Sequence, residues 1–433
     1  MSETVPGRHD LPDQHDPYGA LRLSDFRLLL IGRLIAQLGE MMVSVAVGWE
    51  IYERTGRAFL LGMIGLVQII PVLLFSLPAG YIVDRYNRKQ IALISQIVLM
   101  ACSAALAILS LTQAPLVLTF VVLFVIGVAR AFNNPAEGAL TPMVVPESLF
   151  HSAVTWSTSV WQVSAIVGPA VSGFVIALTG GAPAVYIFNV FAGSALVIAL
   201  LLIHPRKQTY APPEETPMQS LKAGMHFLRD NRLILSSITL DMFAVLFGGA
   251  TYLLPVFAKD ILQVDATGYG LLRAAPSVGA LCMALVLANR SGFRNAGRTL
   301  LIAVAGFGIV TIIFGLSTNF WLSLAMMALS GALDNISVIV RHTLTLVFTP
   351  DEMRGRVGAV NSMFIGASNE LGGFESGVAA ALLGPVGAVV FGGFGTLAVT
   401  GLVAYFAPEL RQLKRIRRDA EMNVEGEVVP QVV

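Results

Sequence analysis

Apolar residues run along this chain in blocks of about twenty, separated by short turns that carry charge, glycine or proline. A helix needs about 20 apolar residues to cross a hydrocarbon core roughly 30 Å thick. The pattern therefore predicts twelve transmembrane helices, over about 26–51, 60–83, 91–112, 116–140, 152–179, 183–203, 233–257, 268–289, 299–317, 321–347, 357–382 and 386–407. Turns such as Glu53-Arg54-Thr55-Gly56, Gln113-Ala114-Pro115 and Gly180-Gly181 close the blocks. The longest polar stretch between blocks is 204–231. Pro205, Pro212, Pro213 and Pro217 keep its first part extended, while Leu221, Met225 and Leu228 sit at helical spacing and predict an amphipathic surface helix over 218–230. The chain thus divides into an N-terminal tail (1–23), a six-helix bundle (24–204), a linker (205–231), a second six-helix bundle (232–407) and a C-terminal tail (408–433). The tail 1–23 lacks a charged-then-apolar run ending in small residues, so it reads as a soluble segment and not a signal peptide.

Composition sharpens this. With 55% hydrophobic and 13% charged residues among 433, a soluble domain could not hide its apolar surface. The fold class is an all-α membrane protein. The net charge of +1 is uninformative, but the placement of charge is not. With twelve spans both termini share one side. That side collects Arg85, Arg88, Lys89, Arg206, Lys207, Arg229, Arg290, Arg294, Arg298, Arg354, Arg356, Arg411 and Lys414, whereas Arg54, Arg57 and Lys259 mark the other. Basic loops stay cytoplasmic, so both termini and the linker are expected inside, in the inner membrane. Cys102 and Cys282 both lie in apolar runs, which argues against a disulfide framework or a metal cluster. No lysine follows a glycine, so a phosphate-binding loop for ATP is absent. No cofactor and no nucleic-acid partner is expected.

The two halves repeat. A shift of 204 lays Val145-Pro146-Glu147 on Thr349-Pro350-Asp351, Gly168 on Gly372, Ser172 on Ser376 and Gly173 on Gly377. It also lays Arg130 on Asp334 and Glu137 on Arg341, so each half carries an i, i+7 charged pair with the signs reversed. Two turns separate such residues by about 10 Å along the axis, so each charge needs a partner on another helix or water. Arg33, Gln37 and Glu40 share one face of the first span, and Asp241 lies on the seventh beside Ser237. Intramembrane charges are costly and mark pathways or locks. Glu40 and Asp334 read as cavity residues, Arg130 and Arg341 as gates, and Arg33 as either. Glu370 and Glu375 stand about 140° apart around one helix. Glu370 shares its face with Gly366, Gly373 and Gly377, which places it in a tight inter-helix contact; Glu375 is then a candidate proton or substrate site.

Several stretches carry a family resemblance. Gly80-Tyr81-Ile82-Val83-Asp84-Arg85-Tyr86-Asn87-Arg88-Lys89 resembles the loop between the second and third helices of the major facilitator superfamily. Val167-Gly168-Pro169-Ala170-Val171-Ser172-Gly173 resembles its Gly-Pro motif, associated with exporters and antiporters. Leu240-Asp241-Met242-Phe243, Gly270-Leu271-Leu272-Arg273-Ala274-Ala275-Pro276 and the run 361–377 look like the enterobactin-exporter branch, over about 23–406. The resemblance implies two parallel six-helix repeats and an antiporter that admits protons while expelling a small molecule such as a catecholate siderophore. It further implies a loop around Gly80, Asp84, Arg85 and Arg88 that latches the halves on the inner side in the outward-open state; Arg354, Arg356 and the N-terminal dipole of the eleventh span are candidate partners for Asp84.

Three functions compete at this stage: a proton-coupled exporter of an aromatic, amphipathic molecule, a broad multidrug antiporter, and a lipid flippase or membrane sensor. Cavity arginines favour an anionic, specific substrate; Met and Phe favour drugs. A sensor needs an added soluble domain, and neither terminus is long enough. An enzyme needs clustered histidines or a nucleophile with its base, and His226 and His342 are far apart. The expected pathway set is Arg33, Glu40, Asp241, Asp334, Glu370 and Glu375. The expected gating set is Gly80, Asp84, Arg85, Arg88, Arg130, Glu137, Gly168, Pro169, Gly173 and Arg341. A monomer in the lipid bilayer is expected. Trp156 reads as an interfacial anchor.

Overall fold

Each apolar block forms a helix whose ends are written in the sequence. The computed structural model describes residues 16–206, 217–289, 293 and 295–414. The first half holds α1 (Ser24–Thr55), α2 (Ala58–Arg85), α3 (Arg88–Leu111), α4 (Leu116–Gly138), α5 (Phe150–Thr179) and α6 (Pro183–Leu202). A linker helix, Pro217–Asp230, precedes α7 (Arg232–Phe247), α8 (Ala266–Ala288), α9 (Ala296–Leu316) and α10 (Phe320–Phe348). The last helical segment, Arg354–Phe406, is two helices: Gly384 breaks it with φ 77°, before Pro385, into α11 (354–383) and α12 (385–406). Only glycine adopts that backbone without penalty. Asn87, Asn231, Asp265 and Asn319 cap α3, α7, α8 and α10 by accepting backbone N–H bonds. Among the described residues there is no strand. Residues 1–15 of the tail, 207–216 of the linker, Arg290, Arg294 and 415–433 lie outside the described residues.

The two halves pack alike. α1 lies against α5 and α6, α2 against α4, and α3 against α4 and α6; in the second half α7 lies against α11 and α12, α8 against α10, and α9 against α10 and α12. Small residues at the same repeat positions make the same contacts. A Cβ on Gly168 would stand 2.6 Å from Met41 of α1, and one on Gly372 2.8 Å from the Val245 carbonyl of α7. Gly173 crosses Gly270 of α8, and Gly377 crosses Gly62 of α2, so these two glycine pairs are among the close contacts between the halves. Leu178, Phe191, Ile302, Leu382 and Tyr405 are strongly exposed on the outside of the bundle, as lipid-facing residues are.

The linker helix, expected as an amphipathic surface helix, lays part of its apolar face on α11. Leu221, Phe227 and Leu228 pack against Val357, Val360 and Phe364 of α11, while Met225 stays exposed. Gly224 lets it approach the Arg356 carbonyl, since a Cβ there would fall 2.8 Å from that oxygen.

Candidate functional site

The halves meet at the end of the bundle opposite the termini. Tyr52 Oη at the end of α1 donates to Asp260 in the π-helical turn Phe257–Ile261 after α7. One turn away Trp49 stacks on Tyr269 of α8, centroids 5.6 Å apart. Phe59 of α2 meets Phe374 of α11 at 6.4 Å. Farther toward the termini Gln162 of α5 donates to the Ser277 carbonyl of α8 at 2.8 Å. Beyond that Gly80, Gly355, Gly358 and Gly366 face open space. The halves are thus joined at the end opposite the termini, and the cleft between them lies on the terminal side of these contacts. Gly366 belongs to that open part and not to the tight contact expected of it.

Six polar residues from six segments gather along this cleft. Arg130 of α4 donates to Gln68 Oε1 of α2 at 2.8 Å and lies 3.7 Å from Glu40 of α1. The side chains of Arg130 and Glu40 are 32% and 27% exposed. Charges at this depth avoid lipid, so that exposure is to the cleft. Across from them Glu370 of α11 accepts from Tyr252 Oη at 2.8 Å and leaves no room for a side chain at Gly65 of α2. Arg273 of α8 sits beside Tyr252, and the charges of both Arg130 and Arg273 bear on Glu370. Glu375 lies elsewhere on α11, half-buried, 3.4 Å from its neighbour Ser376 Oγ.

The other intramembrane charges pair inside each half. Arg33 lies 3.6 Å from Glu137 Oε2, donates to the Glu137 carbonyl, and donates to Thr141 Oγ1 at 2.9 Å. Asn133 Nδ2 holds the same carboxylate at 2.7 Å. In the second half Arg341 pairs with Asp241, both side chains buried. These are the same joint, α1 to α4 and α7 to α10, with the charges exchanged. The structure thus divides the expected sets differently. Arg33 and Asp241, grouped with the pathway, are the partners of Glu137 and Arg341, grouped with the gates.

Asp334 breaks the symmetry. Its repeat partner Arg130 faces Glu40, seven residues beyond Arg33; seven residues beyond Asp241 stands Gly248. Among the described residues Asp334 has no ion pair. It lines a cavity of about 10 Å³ with Asp241, Ala244, Val245, Val304, Phe307, Leu333 and Ser337, room for about one water. Ser337 Oγ is buried there without a protein partner.

The basic loop after α2 is not latched to α11. Asp84, about half exposed, pairs with Arg88 at 3.4 Å, Arg85 lies over the Tyr81 ring, and Lys89 Nζ donates to the Leu201 and Ile203 carbonyls at the end of α6. Arg354 pairs with Asp351 at 2.9 Å. Asp84 thus makes a local pair here, and its contact with Arg354 or Arg356 remains an expectation for the outward-open state. Asp84→Asn is expected to leave the amount of protein in the membrane unchanged and to lower transport, because it removes the carboxylate that closing would bring to α11. Transport at the wild-type rate would leave the loop a topology signal only.

Sequence reading missed several groups. Glu50 of α1 is buried, accepts from Tyr186 Oη of α6 at 2.8 Å and lies 3.4 Å from Arg54, which itself donates to the Ala114 carbonyl. The i, i+4 spacing of Glu50 and Arg54 was the available signal. Tyr52 and Asp260 carried none, being 208 residues apart. Trp156 donates to the Pro17 carbonyl at 3.0 Å and packs near Tyr18, so it anchors the start of the described chain.

Residues 15–432 match the family described as transmembrane secretion effectors. The chain belongs to that family of major facilitator transporters. Relatives of this chain include the enterobactin exporter EntS of Shigella boydii serotype 4 (strain Sb227) and that of Escherichia coli O1:K1 / APEC. Each is 25% identical over 391 residues, covering 90% of this chain and 93% of the relative. Similar solved structures include a bacterial homologue of the iron transporter ferroportin in an inward-facing state (TM-score 0.68, 16% identity, 90% of this chain and 99% of that one). A bacterial homologue of the human lysosomal transporter Spinster, inward-facing and unoccupied, gives TM-score 0.66 at 13% identity over 89% and 95%. These two share the fold.

Proposed function

We propose that this chain is a proton-driven exporter of the inner membrane, moving a small aromatic or amphipathic molecule such as a catecholate siderophore outward. Relatives named as enterobactin exporters support the direction and the class of cargo. The observation that carries the proton coupling is Asp334. A carboxyl group in the membrane interior without a counterion is stable when neutral and costly when charged, so it gains and releases a proton as its surroundings open and close. In this reading 24–204 and 232–407 are the two rocking units, 205–231 tethers them, and the Arg33–Glu137 and Asp241–Arg341 pairs keep each unit rigid. The cleft faces the cytoplasm, and the joint at Tyr52, Trp49, Asp260 and Tyr269 closes the outer end.

Mass spectrometry of the medium from cells with and without the gene tests the export reading. One compound or a few related aromatic ones should accumulate outside when the gene is present. A wide mixture of unrelated drugs exported equally well would favour a multidrug antiporter instead. The orientation has its own test. In a chain without Cys102 and Cys282, a cysteine at Thr55 should react with an impermeant reagent from outside and one at Thr216 should not. The opposite labelling pattern would invert the topology and with it the direction of transport.

A further inference from the structure

We propose that Arg273 is the residue that grips the substrate, through an anionic group that the substrate carries. The proposal rests on the export reading above and names the substrate class for that cleft.

Four other arginines away from the terminal end of the spans are engaged. Arg33 is held by Glu137 and Thr141, Arg54 by Glu50 and the Ala114 carbonyl, Arg130 by Glu40 and Gln68, and Arg341 by Asp241. Arg273 is different. Its guanidinium has five N–H donors in a planar fork, and its hydrogen bond is a long one, 3.4 Å to the Thr251 carbonyl. Among the described residues it has no carboxylate within ion-pair distance. Glu370, whose charge it feels, is already bonded to Tyr252 and packed against Gly65.

Its position suits a cargo. Arg273 is half-buried on α8, one turn toward the terminal end from Tyr269 and one turn short of Ser277, both of which touch the first half. It therefore stands near the closed end of the cleft, where the two halves converge. Tyr252 lies with its ring centroid 6.0 Å from the guanidinium carbon, while Tyr269, one turn away on α8, is buried against Trp49. A half-buried guanidinium fork with open donors matches an anionic group such as a carboxylate, a phosphate or an ionised phenol. A neutral or cationic cargo would leave those donors unanswered or repelled.

Media from cells carrying empty vector, wild type, Arg273→Gln and Arg273→Lys are profiled by mass spectrometry, with membrane amounts matched through a fluorescent tag. The compounds that wild type adds to the medium should carry an anionic group at the pH of the medium. Arg273→Gln should cut their export tenfold or more, and Arg273→Lys should fall between, because a lysine keeps the charge and loses the fork. If Arg273→Gln does not reach the membrane, Arg273→Lys carries the test, and wild-type export by it overturns the proposal. Export by wild type of only neutral or cationic compounds, or export of anions by Arg273→Gln at the wild-type rate, also overturns it and leaves the export reading standing. If wild type adds nothing over the empty vector, the export reading itself fails and takes this proposal with it.

Discussion

Asp334→Asn is expected to abolish proton-driven export while the protein still reaches the membrane in wild-type amount. The amide keeps the size of the side chain in its small cavity beside Phe307 and Val304 and removes only the ability to carry a proton. No ion pair is broken, because Asp334 makes none among the described residues. Two assays on everted vesicles separate the steps. Transport of the exported compound driven by an imposed pH gradient should vanish. Exchange of labelled for unlabelled compound at equal pH on both sides should persist, since exchange needs no net proton movement. Unimpaired pH-driven transport by the variant would place the proton site elsewhere, with Glu40 and Glu375 the next carboxylates to replace.

A second large effect is expected at the joint between α7 and α10. Arg341→Ala leaves Asp241 buried with its counterion gone, a loss of about 3–5 kcal/mol for a buried pair. The yield of monodisperse protein extracted in detergent should fall sharply, with a lower melting temperature for what remains. Exchanging the two residues, Asp241→Arg with Arg341→Asp, should recover much of the loss, because the first half already builds the same joint as Arg33 on α1 and Glu137 on α4. A wild-type melting temperature for Arg341→Ala would show that the pair does not hold the helices together.

The helices were legible because a bilayer imposes one length and one composition on every span, and the caps and turns sit where glycine, proline, asparagine and aspartate punctuate the runs. Even the break between the last two helices was visible, since Gly384 and Pro385 interrupt an otherwise apolar stretch. The reversed signs of Arg130, Glu137, Asp334 and Arg341 were legible as a pattern on single helices. Their partners were not, because they depend on how α1 meets α4 and α7 meets α10. Only with those contacts in hand does Gly248 emerge as the residue standing where a counterion for Asp334 is missing. Arg273 was passed over for a similar reason. A lone arginine in an apolar run says nothing by itself, and its significance lies in the engagement of Arg33, Arg54, Arg130 and Arg341.

The exchanged charges also bear on how twelve similar helices find their places after insertion. The two halves repeat, so α7 takes in its bundle the place that α1 takes in the first, and could compete with it for the same groove. Were α1 to settle beside α10, Arg33 would face Arg341; were α7 to settle beside α4, Asp241 would face Glu137. Like charges forced together in hydrocarbon are far costlier than the correct pairs. A duplicated chain that kept the same sign in both halves would lack this discrimination. Inverting the pair in one half lets each bundle recognise its own members during assembly.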